Sequence, residues 1–187
     1  HSATNICGLY AQDLGAANLD CTLIGDAWSS DQFRQRQLYA EPPYKIQVIH
    51  GHASHASEGA PVGSVVSAQQ IVSSTGDLEG GLIYSVGCHS GLNIPESSGS
   101  ALDLPEAFSG KLAHYIGNTG FGWGSRIEVR FSERLSQIYA QELLRGSSTT
   151  VGESLKDAKQ RYFQEAFDFE PRDEKSLQQV TLYGLPM

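Results

Sequence analysis

The sequence predicts an α/β fold with a mainly parallel central sheet flanked by helices, and three observations predict it. The first is a set of short apolar runs rich in β-branched and aromatic residues: Cys21-Thr22-Leu23-Ile24, Ile46-Gln47-Val48-Ile49 and Leu82-Ile83-Tyr84-Ser85-Val86. The second is the helical character of the stretches between them, Asp31 to Tyr39 and Ser67 to Ser73. The third is the resulting β-α-β-α-β alternation. Near-continuous apolar strands joined by helical crossovers are what a sheet covered on both faces requires, because both faces of each strand leave water.

The elements continue in the same manner. Residues 91–100 form a loop by composition, and Leu104 to Leu112 is expected to be helical after the start signal Asp103. His114-Tyr115-Ile116-Gly117-Asn118 reads as a fourth strand running into the glycine-rich Gly120-Phe121-Gly122-Trp123-Gly124. Phe131, Leu135, Ile138, Tyr139 and Leu143 recur at helical spacing, with Gly146 at the C′ position, so a helix is expected from about Ser132 to Arg145. Thr150-Val151-Gly152-Glu153 fits a capping box opening a helix through about Ala166. Gln179 to Gly184 reads as a last strand.

At 187 residues, 40% of them hydrophobic, the chain is long enough to bury a full core, and a single domain over 1–187 is expected. A net charge of -8 with no basic run disfavours nucleic acid, which binds clustered Lys and Arg. No stretch approaches the roughly 20 apolar residues of a membrane helix, and the opening His-Ser-Ala-Thr-Asn has neither the basic nor the apolar region of a signal peptide. A start at His1 without methionine is expected to reflect trimming, by processing or at a cloning boundary, and processing would make an N-terminal fragment of the same precursor a partner. The three cysteines, Cys7, Cys21 and Cys88, are too few for a disulfide framework. A Cys7 to Cys21 bridge is one option, but both are expected to be small buried hydrophobes.

Reactive residues gather where parallel strands end. The second strand runs into His50-Gly51-His52-Ala53-Ser54-His55 and the third into Gly87-Cys88-His89-Ser90-Gly91. A thiol needs a base or a low-pKa setting to act as thiolate, and an imidazole from the neighbouring strand supplies one. His52 and Cys88, 36 positions apart (88 − 52), are therefore the candidate pair, facing one cleft. The glycines at 51, 87 and 91 let backbone approach closely, and the N–H groups of Ala53 and Cys88 are candidates to face an oxyanion.

These blocks carry a resemblance. An apolar strand ending in His with a small residue after it, then an apolar strand ending in Cys, is similar to the caspase-like clan of cysteine peptidases, and the details most resemble its gingipain-type family (C25). The family's Gly-His-Gly-Ser is matched by Gly51-His52-Ala53-Ser54, and its nucleophile block by Ser85-Val86-Gly87-Cys88. Its later strand, small-Thr turn and Trp resemble Gly117-Asn118-Thr119-Gly120-Phe121-Gly122-Trp123, and its closing strand resembles Leu182-Tyr183-Gly184-Leu185-Pro186. The chain departs from the pattern at Ala53, where the family has Gly, and at Leu185, where it has Asp. The bare His-Gly pattern is also met by His50-Gly51; His52 is preferred because Gly51 and Ser54 then match too.

The resemblance implies a caspase-like three-layer sandwich and a cysteine endopeptidase acting on peptide or protein substrates. Cys88 would be the nucleophile and His52 the acid/base, with Ala53 and Cys88 N–H groups at the oxyanion. It places His50, Gly51, Val86 and Trp123 around the substrate; Asp26, just beyond the first expected strand, is the candidate charge partner for a basic side chain. No active-site cofactor or metal is implied, although the family uses calcium in loops. A bacterial secreted or cell-surface setting follows from the same resemblance, and an acid that orients the His in some members falls before or near His1. Two other readings stay open. His50-x-His52-x-x-His55 has the spacing of a zinc hydrolase site, lacking the Asp that precedes the third His because Ser54 stands there. A caspase-like binding module without activity is the second.

Overall fold

The computed structural model describes residues 2–15, 18–95, 102–125, 127–145 and 149–184. Gly146, Leu185, Pro186 and the loop residues 96–100 lie outside them. The strands are β1 (Ile46–Ile49), β2 (Ala53–Ser54), β3 (Ser57–Glu58), β4 (Val66–Ser67), β5 (Leu82–Ser85), β6 (His114–Asn118) and β7 (Val180–Tyr183). The helices are α1 (Ser2–Leu14), α2 (Ser30–Phe33, running on as a π-helical turn over Arg34–Leu38), α3 (Ala68–Val72), α4 (Leu104–Gly110), α5 (Phe131–Leu144), α6 (Val151–Glu165) and α7 (Pro171–Gln179). The chain is divided into two compact units, one of residues 25–122 and 179–185, the other of 1–24, 123–178 and 186–187.

The first unit holds a sheet in the order β1-β5-β6-β7. β1 and β6 flank β5 in parallel, and β7 closes the edge antiparallel to β6. The expected α/β class, with a mainly parallel sheet of caspase-like kind, is what the chain adopts. β5 and β6 are buried along their whole length, which is why they read as unbroken apolar runs. Ile49, Ile83 and Tyr115 pack in one cluster with Phe33, Leu38, Ile71, Leu104, Ala107 and Phe108. The Phe108 and Tyr115 rings stack 4.8 Å apart. Each such side chain contributes roughly 1.5–3 kcal/mol on leaving water. Helix starts follow their caps: Ser29 with Gln32, and Ser67 with Gln70, form capping boxes. A small antiparallel sheet, β2-β3-β4, follows β1.

The helical unit is built on α5 and α6, with α1 against α5. The predicted stripe of α5 buries Phe131, Leu135, Ile138 and Tyr139, and α6 answers with Leu155, Ala158 and Tyr162. Thr150 and Glu153 form the expected capping box. No described helix is long and apolar enough to cross a membrane.

Two expectations are corrected at the start of the chain. Cys21-Thr22-Leu23-Ile24 is not a strand, and the first strand is Ile46–Ile49. The Asp20 carboxylate accepts hydrogen bonds from both the backbone N–H of Thr22 (3.0 Å) and its hydroxyl (2.6 Å), so the backbone is held in a local turn. Cys7 and Cys21 are not separate buried thiols either: they form a disulfide, with Cα atoms 6.2 Å apart, that ties this turn to α1.

Candidate active site

The β1–β5 register sets Ile49 opposite Ser85. His52 and Cys88 each stand three residues beyond that pair (52 − 49 and 88 − 85), past the carboxyl ends of adjacent parallel strands. Val86 N–H donates to the Ile49 carbonyl at 2.9 Å, carrying the pairing one residue further. The two segments then touch. A Cβ placed on Gly87 would stand 2.4 Å from Ala53 Cβ and 3.2 Å from the Gly51 carbonyl oxygen, so the His52 segment crosses directly over the residue before Cys88. Glycine is required there by space.

The turn carrying Cys88 is clamped from its other side. Asn118, fully buried at the end of β6, donates its amide to the carbonyls of Val86 (2.9 Å) and Gly87 (3.2 Å). Ser90 donates its hydroxyl to the Gly87 carbonyl at 3.0 Å and accepts from Asn118 N–H at 3.2 Å. His89 takes the left-handed conformation with φ 56°. That turn is held by its N–H on the Gly120 carbonyl at 2.6 Å and by an edge contact of its ring with Phe121. Cys88 is the free cysteine among the described residues, half-buried, its thiol donating to the Gly122 carbonyl at 3.6 Å. Gly122 itself passes so close that a Cβ would meet the Val86 carbonyl at 2.1 Å.

The three histidines of the first block have different surroundings. His52 is exposed, and its carbonyl accepts from Gly59 N–H at 2.6 Å. His50 is half-buried with its Nε2 shielded from solvent, and burial pushes its pKa down to about 4, so the imidazolium form is disfavoured near neutral pH. His55 Nδ1 pairs with Asp103 Oδ1 at 2.5 Å, while Asp103 Oδ2 accepts from Ile94 N–H at 2.5 Å. His55 therefore fastens the loop after Cys88 and the start of α4. Among the described residues no group of three or more His, Cys, Asp or Glu is arranged as metal ligands, so His50, His52 and His55 do not form the set their spacing suggests.

The proposed substrate residues are spread differently. Val86 is buried, His50 half-buried, and Gly51 and Asp26 exposed. Trp123 belongs to the helical unit, half-buried, its backbone N–H donating to the Ser132 hydroxyl at 3.1 Å and its ring 5.3 Å beneath the Arg172 guanidinium.

One residue near the site carries no sequence signal. Glu58 in β3 is fully buried, and burial raises its pKa to about 7. Its shift opposes that of His50, and stability should show it. The raised Glu58 contributes stability that is complete below about pH 4.5 and is lost as pH rises to about 7. The depressed His50 contributes stability that is complete above pH 6.5 and is lost as pH falls to about 4. Each slope is about 1.4 kcal/mol per pH unit, so across the shared window the two cancel. Urea unfolding at several pH values is expected to find wild type nearly level there, Glu58→Gln gaining stability with rising pH and His50→Gln losing it. Level behaviour in all three proteins refutes the paired titration.

No curated protein matches the chain. A model of peptidase family C25 matches residues 46–187, which is 142 of the 187 residues (187 − 46 + 1) and takes in β1, the β2–β4 hairpins, the Cys88 turn and β7. With the two adjacent strand ends and the clamped thiol turn in place, that match identifies the chain as a member of peptidase family C25, a family of cysteine peptidases.

Proposed function

We propose that the chain is the catalytic part of an endopeptidase that cleaves peptide bonds through a thioester on Cys88. The packing of Gly87 against Gly51 and Ala53 carries the reading, because it holds an exposed imidazole segment and a free thiol turn together at one sheet edge. The Cys88 thiolate attacks the scissile carbonyl carbon, and the π pair moves onto oxygen, where the N–H groups of Ala53 and Cys88 receive it. Collapse restores the carbonyl and breaks the C–N bond as His52 protonates the leaving amine. Neutral His52 then takes a proton from water, the hydroxide attacks the thioester, and the thiolate leaves.

For substrate selection the proposed residues are His50, Gly51, Val86, Trp123 and Asp26. Asp26 is suited to a basic side chain; Arg172, already stacked on Trp123, works against a second cation on that ring.

Labelling with a peptide bearing an electrophilic carbonyl tests this reading. Mass spectrometry is expected to find the adduct on Cys88. His52→Ala should lower kcat/KM by about 10²–10⁴-fold, the usual range for a lost acid/base group, and His50→Ala by far less. An active His52→Ala protein beside an inactive His50→Ala protein would move the acid/base role to His50. Peptide binding without any adduct or cleavage would make the chain a binding module.

A further inference from the structure

Glu58 is a fully buried carboxyl for which the peptidase mechanism has no use. Its backbone pairs with Ala53 in the β2–β3 hairpin, and the N–H of the next residue, Gly59, holds the His52 carbonyl at 2.6 Å. Its side chain reaches the opposite way, into the sheet. Glu58 Oε1 accepts from the Tyr115 hydroxyl at 3.1 Å, and the Ser85 hydroxyl lies against the same carboxyl. Ser85 in turn accepts from Gly87 N–H at 3.3 Å, and Tyr115 bears on Ser90, whose hydroxyl holds the Gly87 carbonyl. Oε2 of Glu58 is buried without a hydrogen-bond partner. One carboxyl thus touches both halves of the site: the strand that carries His52 by its backbone, and the turn that carries Cys88 through two hydroxyls.

Resting on the peptidase reading above, we propose that Glu58 is a positioning residue that sets the His52 strand against the Cys88 turn through Ser85 and Tyr115. An apolar residue would fill the space, but it would leave the Tyr115 hydroxyl without its acceptor and remove the polar group beside Ser85. The carboxyl has a second property. Its burial favours the protonated form up to about pH 7, above which a negative charge develops in a dry site and strains the hairpin. The groups facing it are Tyr115 from β6 and Ser85 from β5, with Ala53 and Val66 as its strand partners in β2 and β4. Tyr115 is held protonated well above its ordinary range, mainly by burial, so among these only Glu58 titrates near neutrality. The site should therefore loosen on the alkaline side of neutral.

Two readouts separate this proposal from the peptidase reading. Iodoacetamide alkylation reports on the Cys88 turn without any substrate, because Cys7 and Cys21 are locked in their disulfide. It is followed from about pH 5 to about pH 9 alongside peptide turnover, in wild type, Glu58→Gln and Glu58→Leu, with Cys88→Ala as background. Alkylation follows the thiolate in every variant, so the readout is each variant's rate relative to wild type across pH. Glu58→Gln keeps the hydrogen-bonding shape, so it should match wild type within about twofold in acid-side kcat and depart from it through an inflection near pH 7 in both ratios. Glu58→Leu should show the same inflection and a loss of roughly tenfold in kcat with KM little changed, as misplacement of reacting groups does. Flat Glu58→Gln ratios overturn the proposal, as does a folded Glu58→Leu protein with wild-type kcat. If alkylation behaves as expected but no peptide is cleaved by wild type, the peptidase reading fails and the positioning role of Glu58 stands.

Discussion

Replacing Cys88 with alanine is expected to reduce peptide hydrolysis to background while the protein stays folded. The loss is large because the thioester route depends on one atom, and no other free thiol exists among the described residues to take its place. The small structural cost follows from the surroundings of the side chain. Cys88 is half-buried, and its thiol makes one long contact to the Gly122 carbonyl at 3.6 Å. The turn is held instead by Asn118, Ser90 and His89 N–H, all of which survive the substitution. A change in unfolding free energy below about 1 kcal/mol is therefore expected. Thermal unfolding and kcat/KM measured on the same preparation check both halves. Residual activity above about one per cent in a folded Cys88→Ala protein would remove Cys88 from the chemistry.

Gly87→Ala is expected to have the second largest effect, and it does so without touching a reacting atom. The new methyl group meets Ala53 Cβ at 2.4 Å, well inside any allowed contact, so the His52 segment and the Cys88 turn must separate. A displacement of about 1 Å between reacting groups costs on the order of 100-fold in kcat. Crowding should also cost about 1–3 kcal/mol in stability. The obstacle identifies its own remedy. Ala53 stands where the C25 pattern has glycine, and Ala53→Gly removes the Cβ that Gly87→Ala collides with, so the double variant should recover much of kcat. If Ala53→Gly gives no recovery in a folded double variant, the contact between the two segments is not what limits turnover.

Much of this site could be read from residue order, because the features that carry it are local. The apolar runs ending at Ile49 and Val86 mark two strands, β5 buried along its length and β1 at alternate residues, and parallel pairing then brought residues 52 and 88 to the same end of the sheet. The choice of His52 over His50 rests on neighbouring Gly51 and Ser54; the structure adds that His50 is held neutral by burial while His52 is exposed. Other features left no local mark. β2, β3 and β4 are two residues each, too short to show alternation, so the hairpin that places Glu58 was invisible. α7 buries Asp173 and Ser176 rather than an apolar stripe, and no periodicity announces it. α1 buries Ile6 and Tyr10 on an otherwise weak pattern. Cys21 to Ile24 misled for the opposite reason: its apolar composition is that of a strand, but Asp20 captures the Thr22 backbone and the disulfide fixes Cys21. Both effects depend on what lies beside the segment.

The antiparallel β7 has a consequence in time as well as in space. It joins Val180 to Asn118, 62 positions apart (180 − 118), and the intervening chain contributes residues 123–178 to the other compact unit. That pairing closes a longer loop than the β1–β5 pairing, where Ile46 meets Leu82 at 36 positions (82 − 46), so it is expected to form after it. Tyr183, on β7, donates its hydroxyl to the Gly91 carbonyl at 2.5 Å, and Gln179 just before it accepts from Thr119 N–H at 2.8 Å, so docking of this strand adds further ties to the loops following Cys88 and β6. The last ties on the loop after Cys88 are thereby coupled to this pairing: a refolding chain should regain its β1–β5 pairing before the contacts of Tyr183 and Gln179.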